Sequence, residues 1–275
     1  MIIVTGASGK LGGAAVRALL ETVPAEQVGV LARSAEKVAD LAAAGVRVHV
    51  GDYEDPASLK AAFTGADGLL FVSGSDVTPG VRERQHGNVV RAAADAGVGH
   101  VVYTSAIGAD RPGAPAFLAD HTLTEELLRG SGLPATPLRN TFYSDMFVNP
   151  GVVATALEAG ETVAADGGRA LNTATIADLA RAAAAVVAGG PQEHAGRAYE
   201  LRGPLWTYDE LAATIAAESG RPVSHRRVPL DQGPAPAFIG EFVSSGMFAE
   251  PSEDLATLLG RPATGMPELV RAALA

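Results

Sequence analysis

Short apolar runs alternate with longer alanine-rich segments over the first half of the chain. Each run carries hydrophobic residues at consecutive positions, as expected of parallel strands that are buried on both faces. The runs predict strands at residues 2–5, 27–31, 46–50, 68–72, 100–104 and 135–138. The segments between them predict helices at residues 10–20, 35–43, 56–63, 81–96 and 118–128. This βαβ rhythm predicts an α/β fold with a Rossmann-type doubly wound parallel sheet.

The rhythm loosens after about residue 140. We therefore expect a nucleotide-binding domain at 1–140 and a smaller C-terminal substrate-binding lobe at 141–275, with some segments of the lobe returning to the sheet. Residues 197–201 resemble a strand, and Thr207 with Glu210 matches a capping box that opens a helix. Residues 231–238 are rich in proline and are expected to form a mobile loop over the substrate.

The composition narrows the chemistry. Of 275 residues, 47% are hydrophobic and 19% are charged, so the chain can form a real core. The net charge is −10, and the arginines are spread along the chain, so we expect neither nucleic acid nor a membrane as partner. The absence of cysteine excludes disulfides, thiolate nucleophiles and cysteine-type metal sites. No apolar stretch approaches the roughly 20 residues of a membrane span, so a soluble, cytoplasmic protein is expected.

A glycine-rich turn joins the first predicted strand to the first predicted helix. Its sequence is Thr5-Gly-Ala-Ser-Gly-Lys-Leu-Gly12. In this context such glycines allow a tight turn, a close approach of backbone amides to a pyrophosphate and close packing of helix on strand. The alternative is that the glycines only turn the chain. The candidate phosphate-binding residues are Gly6, Ser8, Gly9, Lys10, Leu11 and Gly12.

The end of the second predicted strand indicates which dinucleotide is preferred. A fold that prefers NAD carries Asp or Glu there to hold the ribose hydroxyls, whereas this chain has Arg33 followed by Ser34. A guanidinium can bind a 2′-phosphate in bidentate fashion, which favours NADP(H), unless Arg33 is only a surface residue. Asp52, beside Tyr53 at the end of the third strand, could accept a hydrogen bond from the adenine amine or could cap its own loop.

With these residues in view, the chain resembles the atypical short-chain dehydrogenase/reductases, in the branch of NmrA-like proteins and type 2 NAD(P)H:quinone oxidoreductases. Besides the glycine turn, the markers are Arg33-Ser34, Gly51-Asp-Tyr53, Tyr103-Thr-Ser105, Leu118-Ala-Asp-His121, Thr124-Glu125, Leu138-Arg-Asn140, Tyr143-Ser144, Tyr199-Glu-Leu201 and Leu258-Leu-Gly-Arg-Pro262. The resemblance implies a Rossmann domain, an NADPH site and flavin-free reduction of quinones. By position in that family, Ser73 and Gly74 would face the cofactor ribose or phosphates, and Asn140 and Tyr143 would border the nicotinamide.

The usual catalytic pair of this superfamily is missing. Ordinary members use Tyr-x-x-x-Lys, but the only lysines are Lys10, Lys37 and Lys60, and none follows a tyrosine at that spacing. His121 stands where the tyrosine would be, with Glu125 one helical turn later, where the carboxylate could orient the imidazole and raise its pKa. Alternatively, residues 122–125 form a capping box.

Thr104 and Ser105 lie at the carboxyl end of the fifth strand, where open parallel sheets bind their ligands. A hydroxyl there could contact the nicotinamide or the substrate carbonyl, or it could only satisfy backbone groups. The candidate catalytic residues are therefore His121, Ser105 and Glu125. The other histidines, at positions 49, 86, 100, 194 and 225, show no metal-ligand spacing and are expected at the surface or at strand ends.

Two functions follow from these observations. The first is an NADPH-dependent oxidoreductase that transfers a hydride to quinones or related activated carbonyl compounds. Quinones suit a weak catalytic apparatus because their reduction creates an aromatic ring and a fairly acidic phenol. The second is a non-catalytic NADP(H)-binding redox sensor that acts through a protein partner, as the missing Tyr-Lys pair would allow. The sequence leaves the oligomeric state open, a homodimer included.

Overall fold

The fold is seen in a computed structural model that describes residues 1–111, 118–233, 240, 243 and 245–275. Its strands are β1 (Ile2–Val4), β2 (Val28–Ala32), β3 (Arg47–Val50), β4 (Gly68–Phe71), β5 (Val101–Ala106), β6 (Ala135–Asn140), β7 (Phe142–Tyr143), β8 (Glu161–Ala164), β9 (Leu171–Ala174), β10 (Tyr199–Leu201), β11 (Leu205–Trp206) and β12 (Ser224–Arg227).

The α-helices of the described residues alternate with these strands. They are α1 (Lys10–Leu19), α2 (Ala39–Ala43), α3 (Pro56–Phe63), α4 (Val81–Ala96), α5 (Ala119–Gly130), α6 (Pro150–Ala159), α7 (Ile176–Gly189), α8 (Pro191–His194), α9 (Tyr208–Ser219), α10 (Asp254–Leu259) and α11 (Met266–Leu274). The helix predicted at 35–43 begins as a 3-10 turn, Ala35–Val38, and becomes α-helical only afterwards.

The chain divides into two compact units. The first comprises Met1–Asn140 and Ile176–Glu200, so α7 and the start of β10 return to it from the second half of the chain. Its seven-stranded sheet has the order β10-β6-β5-β4-β1-β2-β3, and the pairs among β1 to β6 are parallel. The predicted doubly wound parallel α/β fold is confirmed.

The core of the first unit shows why the apolar runs became central strands. Ile3, Leu69, Phe71 and Tyr103 are fully buried, and they belong to one cluster with residues of α3, α4 and α5. Local signals fix the helix starts, as at α3, where Asp55 precedes Pro56 and its carboxylate accepts hydrogen bonds from the backbone amides of Ala57 and Ser58.

The second unit comprises Thr141–Thr175 and Leu201–Ala275. It holds a three-stranded sheet, β11-β9-β7, and a parallel pair, β12-β8. The predicted capping box of Thr207 and Glu210 opens α9. Phe142 and Phe248 stack with ring centroids 4.5 Å apart. The substrate-binding role assigned to 141–275 stays a prediction.

Two further expectations concern segments of the chain. The predicted loop at 231–238 lies, from residue 234 onward, outside the described residues, and only its start is seen, in the 3-10 turn Leu230–Gln232. None of the helices in the described part of the chain is long and apolar enough to cross a membrane.

Candidate active site

The glycine turn has the geometry that an anion site requires. Gly6 adopts φ +62°, a conformation that L side chains rarely take, and its carbonyl accepts the Gly9 amide at 2.9 Å. A Cβ at Gly12 would collide with the same carbonyl, so the helix can pack this closely only with glycine there. The N-cap residue Gly9 has no side chain with which to cap the start of α1, where Lys10 stands exposed. The first amides and the positive end of the dipole of α1 therefore suit a phosphate.

Arg33 lies at the carboxyl end of β2, where a side chain that binds the 2′-phosphate is expected. It is exposed, directly follows β2, and has no hydrogen bond or ion pair with any residue that the structure describes. The neighbouring Ser34 precedes the 3-10 turn but does not cap it with its side chain. A free guanidinium without a carboxylate beside it at this strand end fits NADP(H) rather than NAD(H).

Asp52 and Tyr53 are both engaged with the protein itself. Asp52 Oδ1 accepts the Glu54 amide at 2.9 Å, as in the loop-capping alternative. The Tyr53 hydroxyl lies 2.5 Å from Thr5 Oγ1 and 2.7 Å from the Val72 carbonyl oxygen. Burial raises the pKa of Tyr53, so the hydroxyl stays neutral. Tyr53 thus ties together the carboxyl ends of three strands, and any contact of these two residues with adenine stays a prediction.

The loop after β4 is held by three side chains from elsewhere in the unit. Thr104 Oγ1 accepts the Ser73 amide at 2.9 Å, which gives the predicted Thr104 hydroxyl a partner in the predicted Ser73–Gly74 segment. On either side of Gly74, His86 Nε2 accepts its amide at 3.0 Å and Arg82 Nε donates to its carbonyl at 2.7 Å. Arg82 and His86 are one helical turn apart on α4, so one helix face binds both backbone polar groups of Gly74.

His86 is the main residue that the sequence analysis misplaced. It is fully buried in the middle of α4, not at the surface or at a strand end. Its Nδ1 lies 2.8 Å from Thr124 Oγ1, and burial lowers its pKa to about 3, so the ring is neutral. The signal was present in the sequence, because Val89, Val90 and Ala93 follow at helical spacing and are buried on the same face. His194 was also misplaced, since it is buried in α8.

His121 is paired with Tyr103. The Tyr103 hydroxyl lies 2.8 Å from His121 Nδ1, and both side chains are buried. The expectation that Glu125 orients the imidazole and raises its pKa is wrong: burial, and secondarily the charge of Arg82, lowers the pKa of His121 to about 4. The capping-box alternative is also wrong, because Thr122 lies inside α5 and its hydroxyl donates to the Ala109 carbonyl.

Glu125 and Ser105 instead belong to a second polar cluster. Ser105 Oγ donates to Glu125 Oε1 at 2.6 Å, and Arg139 binds both carboxylate oxygens at 3.1 and 2.8 Å. Arg139 Nη1 also reaches Asp110 at 2.8 Å. The cluster joins β5, α5 and β6, and these contacts occupy the groups that Ser105 and Glu125 would offer to a substrate. This geometry favours a structural role for both residues.

Asn140 and Tyr143 end up in different units. Asn140 is the last residue of β6, and its buried side-chain oxygen has no hydrogen-bond partner among the residues that the structure describes, which leaves an acceptor to be satisfied. Tyr143 lies in β7 of the second unit, in register with Ala174 of β9. Among the described residues, no cluster of three or more His, Asp or Glu could hold a metal ion.

Comparison with known proteins agrees with this geometry. The model of the NmrA-like family matches residues 1–238. Quinone oxidoreductase 2 of Escherichia coli is 38% identical over 98% of this chain and 97% of its own length. Triphenylmethane reductase of Citrobacter sp., crystallised with NADP(H), superposes with a TM-score of 0.91 at 37% identity over 99% of this chain and 100% of its own. The NADPH complex of an NADPH-dependent quinone oxidoreductase from E. coli gives 0.90 at 35% identity over 100% of both chains.

Proposed function

The chain belongs to the NmrA-like family, and from this premise we propose that it is an NADPH-dependent, flavin-free oxidoreductase that acts on quinones or related activated carbonyl compounds. Two observations carry the proposal together: the N-cap Gly9 leaves the start of α1 without a capping side chain, and Arg33, beyond β2, has no hydrogen bond or ion pair within the described part of the chain. The relatives support it, because two similar proteins were crystallised with NADP(H) or NADPH and are named as reductases. These names favour the enzyme over the sensor.

The residues present fit NADP(H). The amides of residues 8–12, at the start of α1, would hold the pyrophosphate, and Arg33 would hold the 2′-phosphate. Ser73 and Gly74, on a loop fixed by Thr104 and by α4, would lie along the ribose and phosphates. The buried side-chain oxygen of Asn140, to which no described residue donates, would accept a hydrogen bond from the nicotinamide carboxamide. The assignment of Tyr143 to the nicotinamide stays a prediction.

His121 is the residue that would assist the reaction. When bound, NADPH supplies the hydride. With a pKa of about 4, His121 is neutral at physiological pH, so it acts as a hydrogen-bond donor to the substrate oxygen and not as an imidazolium acid. This modest assistance suits a quinone, since hydride transfer would leave a stable phenolate that solvent can protonate later. Close placement of the two reactants then supplies most of the rate.

Two narrower expectations remain proposals. Because its net charge is −10, we expect that the protein does not bind nucleic acid. We also propose that it is a cytoplasmic protein. Its substrates are expected to be small molecules.

The test is a paired titration followed by turnover. NADPH and NADH are titrated into the protein by nucleotide fluorescence, and benzoquinone or naphthoquinone is then added while NADPH absorbance is followed. We expect tighter binding of NADPH than of NADH and oxidation of NADPH only with quinone present. Failure to bind either nucleotide would overturn the proposal. Tight NADPH binding without turnover across a quinone panel would favour the sensor instead.

A further inference from the structure

We propose that Tyr103 is a positioning residue for His121: its hydroxyl donates to Nδ1, which keeps the proton of the ring on Nε2 and aims that N–H at the substrate oxygen. The inference rests on the proposed function, because it concerns the donor of that same reaction. Tyr103 itself lies in the protein interior and has no need to touch substrate or cofactor.

The position of Tyr103 is unusually well fixed. It lies in the centre of β5, in parallel register with Phe71 of β4 on one side and Pro137 of β6 on the other. Its ring packs against Phe71 and His86, with centroids 5.0 and 5.8 Å away. The hydroxyl that meets His121 at 2.8 Å is therefore presented by a rigid support.

The neighbouring hydrogen bonds show which way the Tyr103 proton points. A peptide amide can only donate, so His86 Nε2, which binds the Gly74 amide, is unprotonated. The neutral His86 ring therefore carries its proton on Nδ1 and donates it to Thr124 Oγ1. Thr124 in turn donates to the Asp120 carbonyl at 2.6 Å. Its hydroxyl proton is thus used, and none remains for Tyr103.

Two acceptors are then within reach of the Tyr103 hydroxyl. One is Thr124 Oγ1, which already accepts from His86, and the other is the nitrogen of His121. An imidazole nitrogen is the more basic acceptor, and burial raises the pKa of Tyr103, so the phenol remains a neutral donor. The hydrogen bond thus runs from Tyr103 to His121.

This network conveys orientation and not protons. Tyr103 gives its proton to His121 and Thr124 gives its own to the Asp120 carbonyl, so no hydrogen is left to join Tyr103 to Thr124, and the chain of donors that starts at His121 ends at the Tyr103 hydroxyl. A Grotthuss-type relay would require an ionisable group or solvent at that end. Tyr103 therefore sets the tautomer of His121, and solvent supplies the proton that the product takes up.

The chain contains a matched control. At the opposite end of the sheet, the Tyr199 hydroxyl lies 2.9 Å from His194 Nδ1, and the two rings are 5.8 Å apart. Tyr103→Phe and Tyr199→Phe remove the same hydroxyl from the same kind of pair. Only the first pair faces the edge where the glycine turn lies.

The experiment combines nitrogen NMR with kinetics. In the full-length protein labelled with ¹⁵N-histidine, His121 is assigned through the loss of its signals in His121→Gln, and its tautomer is read from the two ring-nitrogen shifts. We expect the Nε2–H form in the wild type and a mixture of tautomers in Tyr103→Phe. In Tyr103→Phe, kcat with NADPH and benzoquinone should fall about tenfold while the NADPH dissociation constant stays within twofold, as one hydrogen bond of ordinary strength predicts. Tyr199→Phe should change neither His121 signals nor kcat.

Several outcomes would overturn the inference. A wild-type His121 in the Nδ1–H form contradicts it directly, without any need for a variant that folds. An equal loss of kcat in Tyr103→Phe and Tyr199→Phe would show a general packing effect, as would a loss matched by NADPH affinity. Absence of quinone turnover in the wild type, with His121 in the Nε2–H form, would instead overturn the proposed function and leave the Tyr103 hydrogen bond established.

Discussion

The two ends of the seven-stranded sheet carry nearly the same side-chain pairs. Towards the carboxyl ends of the strands, Tyr103 of β5 binds His121, and His86 of α4 binds Thr124, each at 2.8 Å. At the amino ends, Tyr199 binds His194, and His100 binds Thr136, each at 2.9 Å. Burial alone explains this similarity, because an imidazole or phenol in the interior needs a partner wherever it lies.

The pairs differ in what they join. At the carboxyl ends, His86 continues to the Gly74 amide, on the loop that follows β4. At the amino ends, Thr136 donates to the backbone carbonyl of His194, and the buried Nδ1 of His100 meets no partner in the described portion of the chain. The hydrogen bonds of His86 thus extend to the loop after β4, which could contact a ligand. Those of His100 and Thr136 end at the backbone of His194. Buried histidine pairs therefore mark a site only through their place in the sheet.

The largest expected effect is on the stability of the protein, and it concerns His100, at the amino ends of the strands. Burial lowers the pKa of His100 to about 4 from an ordinary 6.5, so the folded state keeps His100 neutral while the unfolded chain binds a proton. The contribution of His100 to the free energy of unfolding is fully present above pH 6.5. It is lost as the pH falls towards 4, and the loss amounts to about 3 kcal/mol. His100→Gln should flatten this part of the curve, measured by urea unfolding at pH 7.5, 5.5 and 4.5. An unchanged pH slope in the variant would contradict the assignment. Turnover at neutral pH should be unaffected.

The second prediction compares two exposed arginines at the two ends. Arg33→Asp should raise the NADPH dissociation constant roughly 100-fold, since it removes a charge-assisted contact to the 2′-phosphate and adds repulsion, and should leave NADH nearly unchanged. Arg47→Asp, at the amino end of β3, carries the same change of charge and should affect neither nucleotide. Equal losses for NADPH and NADH in Arg33→Asp would disprove the role, and the fluorescence titration decides.

The third prediction concerns the two tyrosine-bound histidines. His121→Leu should lower kcat with benzoquinone by roughly tenfold to 100-fold, because the donor to the substrate oxygen is lost. His121→Gln, whose side-chain amide can still donate, should recover part of the rate. His194→Leu, its counterpart at the amino ends, should leave kcat within twofold at a temperature where it is folded. If both leucine variants lose kcat alike, the functional distinction between the two ends fails.

The smallest effect is expected at Asp52. Because its carboxylate already accepts the Glu54 amide, Asp52→Asn keeps that contact through its remaining oxygen. The NADPH dissociation constant should change by less than about twofold, within ordinary surface-substitution effects. A tenfold loss of NADPH affinity would instead support the hydrogen bond from adenine to Asp52 that the sequence also allows. Tyr53→Phe offers a check, because it should lower the melting temperature and not nucleotide selectivity.

The sequence predicted the fold well because its signals are local. Continuous apolar runs, the Asp55 cap and the Thr207 capping box each act within a few residues, and the structure has the corresponding elements. The glycine turn was predictable for the same reason. Gly12 also meets a neighbour, Gly6, that is close in the chain.

The candidate site was predictable in position but not in its partners. The i, i+4 spacing of His121 and Glu125 suggested that they interact, yet one points to Tyr103 of β5 and the other to Arg139 of β6. Helical spacing describes a shared face of a helix, and a packed sheet offers each position on that face a different strand. Such contacts join residues far apart in sequence, and one chain read alone contains no signal for them.

The side chains of Arg82 and His86 both bind the backbone of Gly74, near the start of the loop that joins β4 to α4. Both residues follow the exposed stretch 75–80 in the chain. The position of the Gly74 backbone therefore does not depend on the path of that stretch. Insertions or deletions in 75–80 should therefore be tolerated without shifting the backbone at Gly74 that we propose faces the cofactor. This stretch is a natural place to graft new sequence when the substrate range is to be altered by engineering.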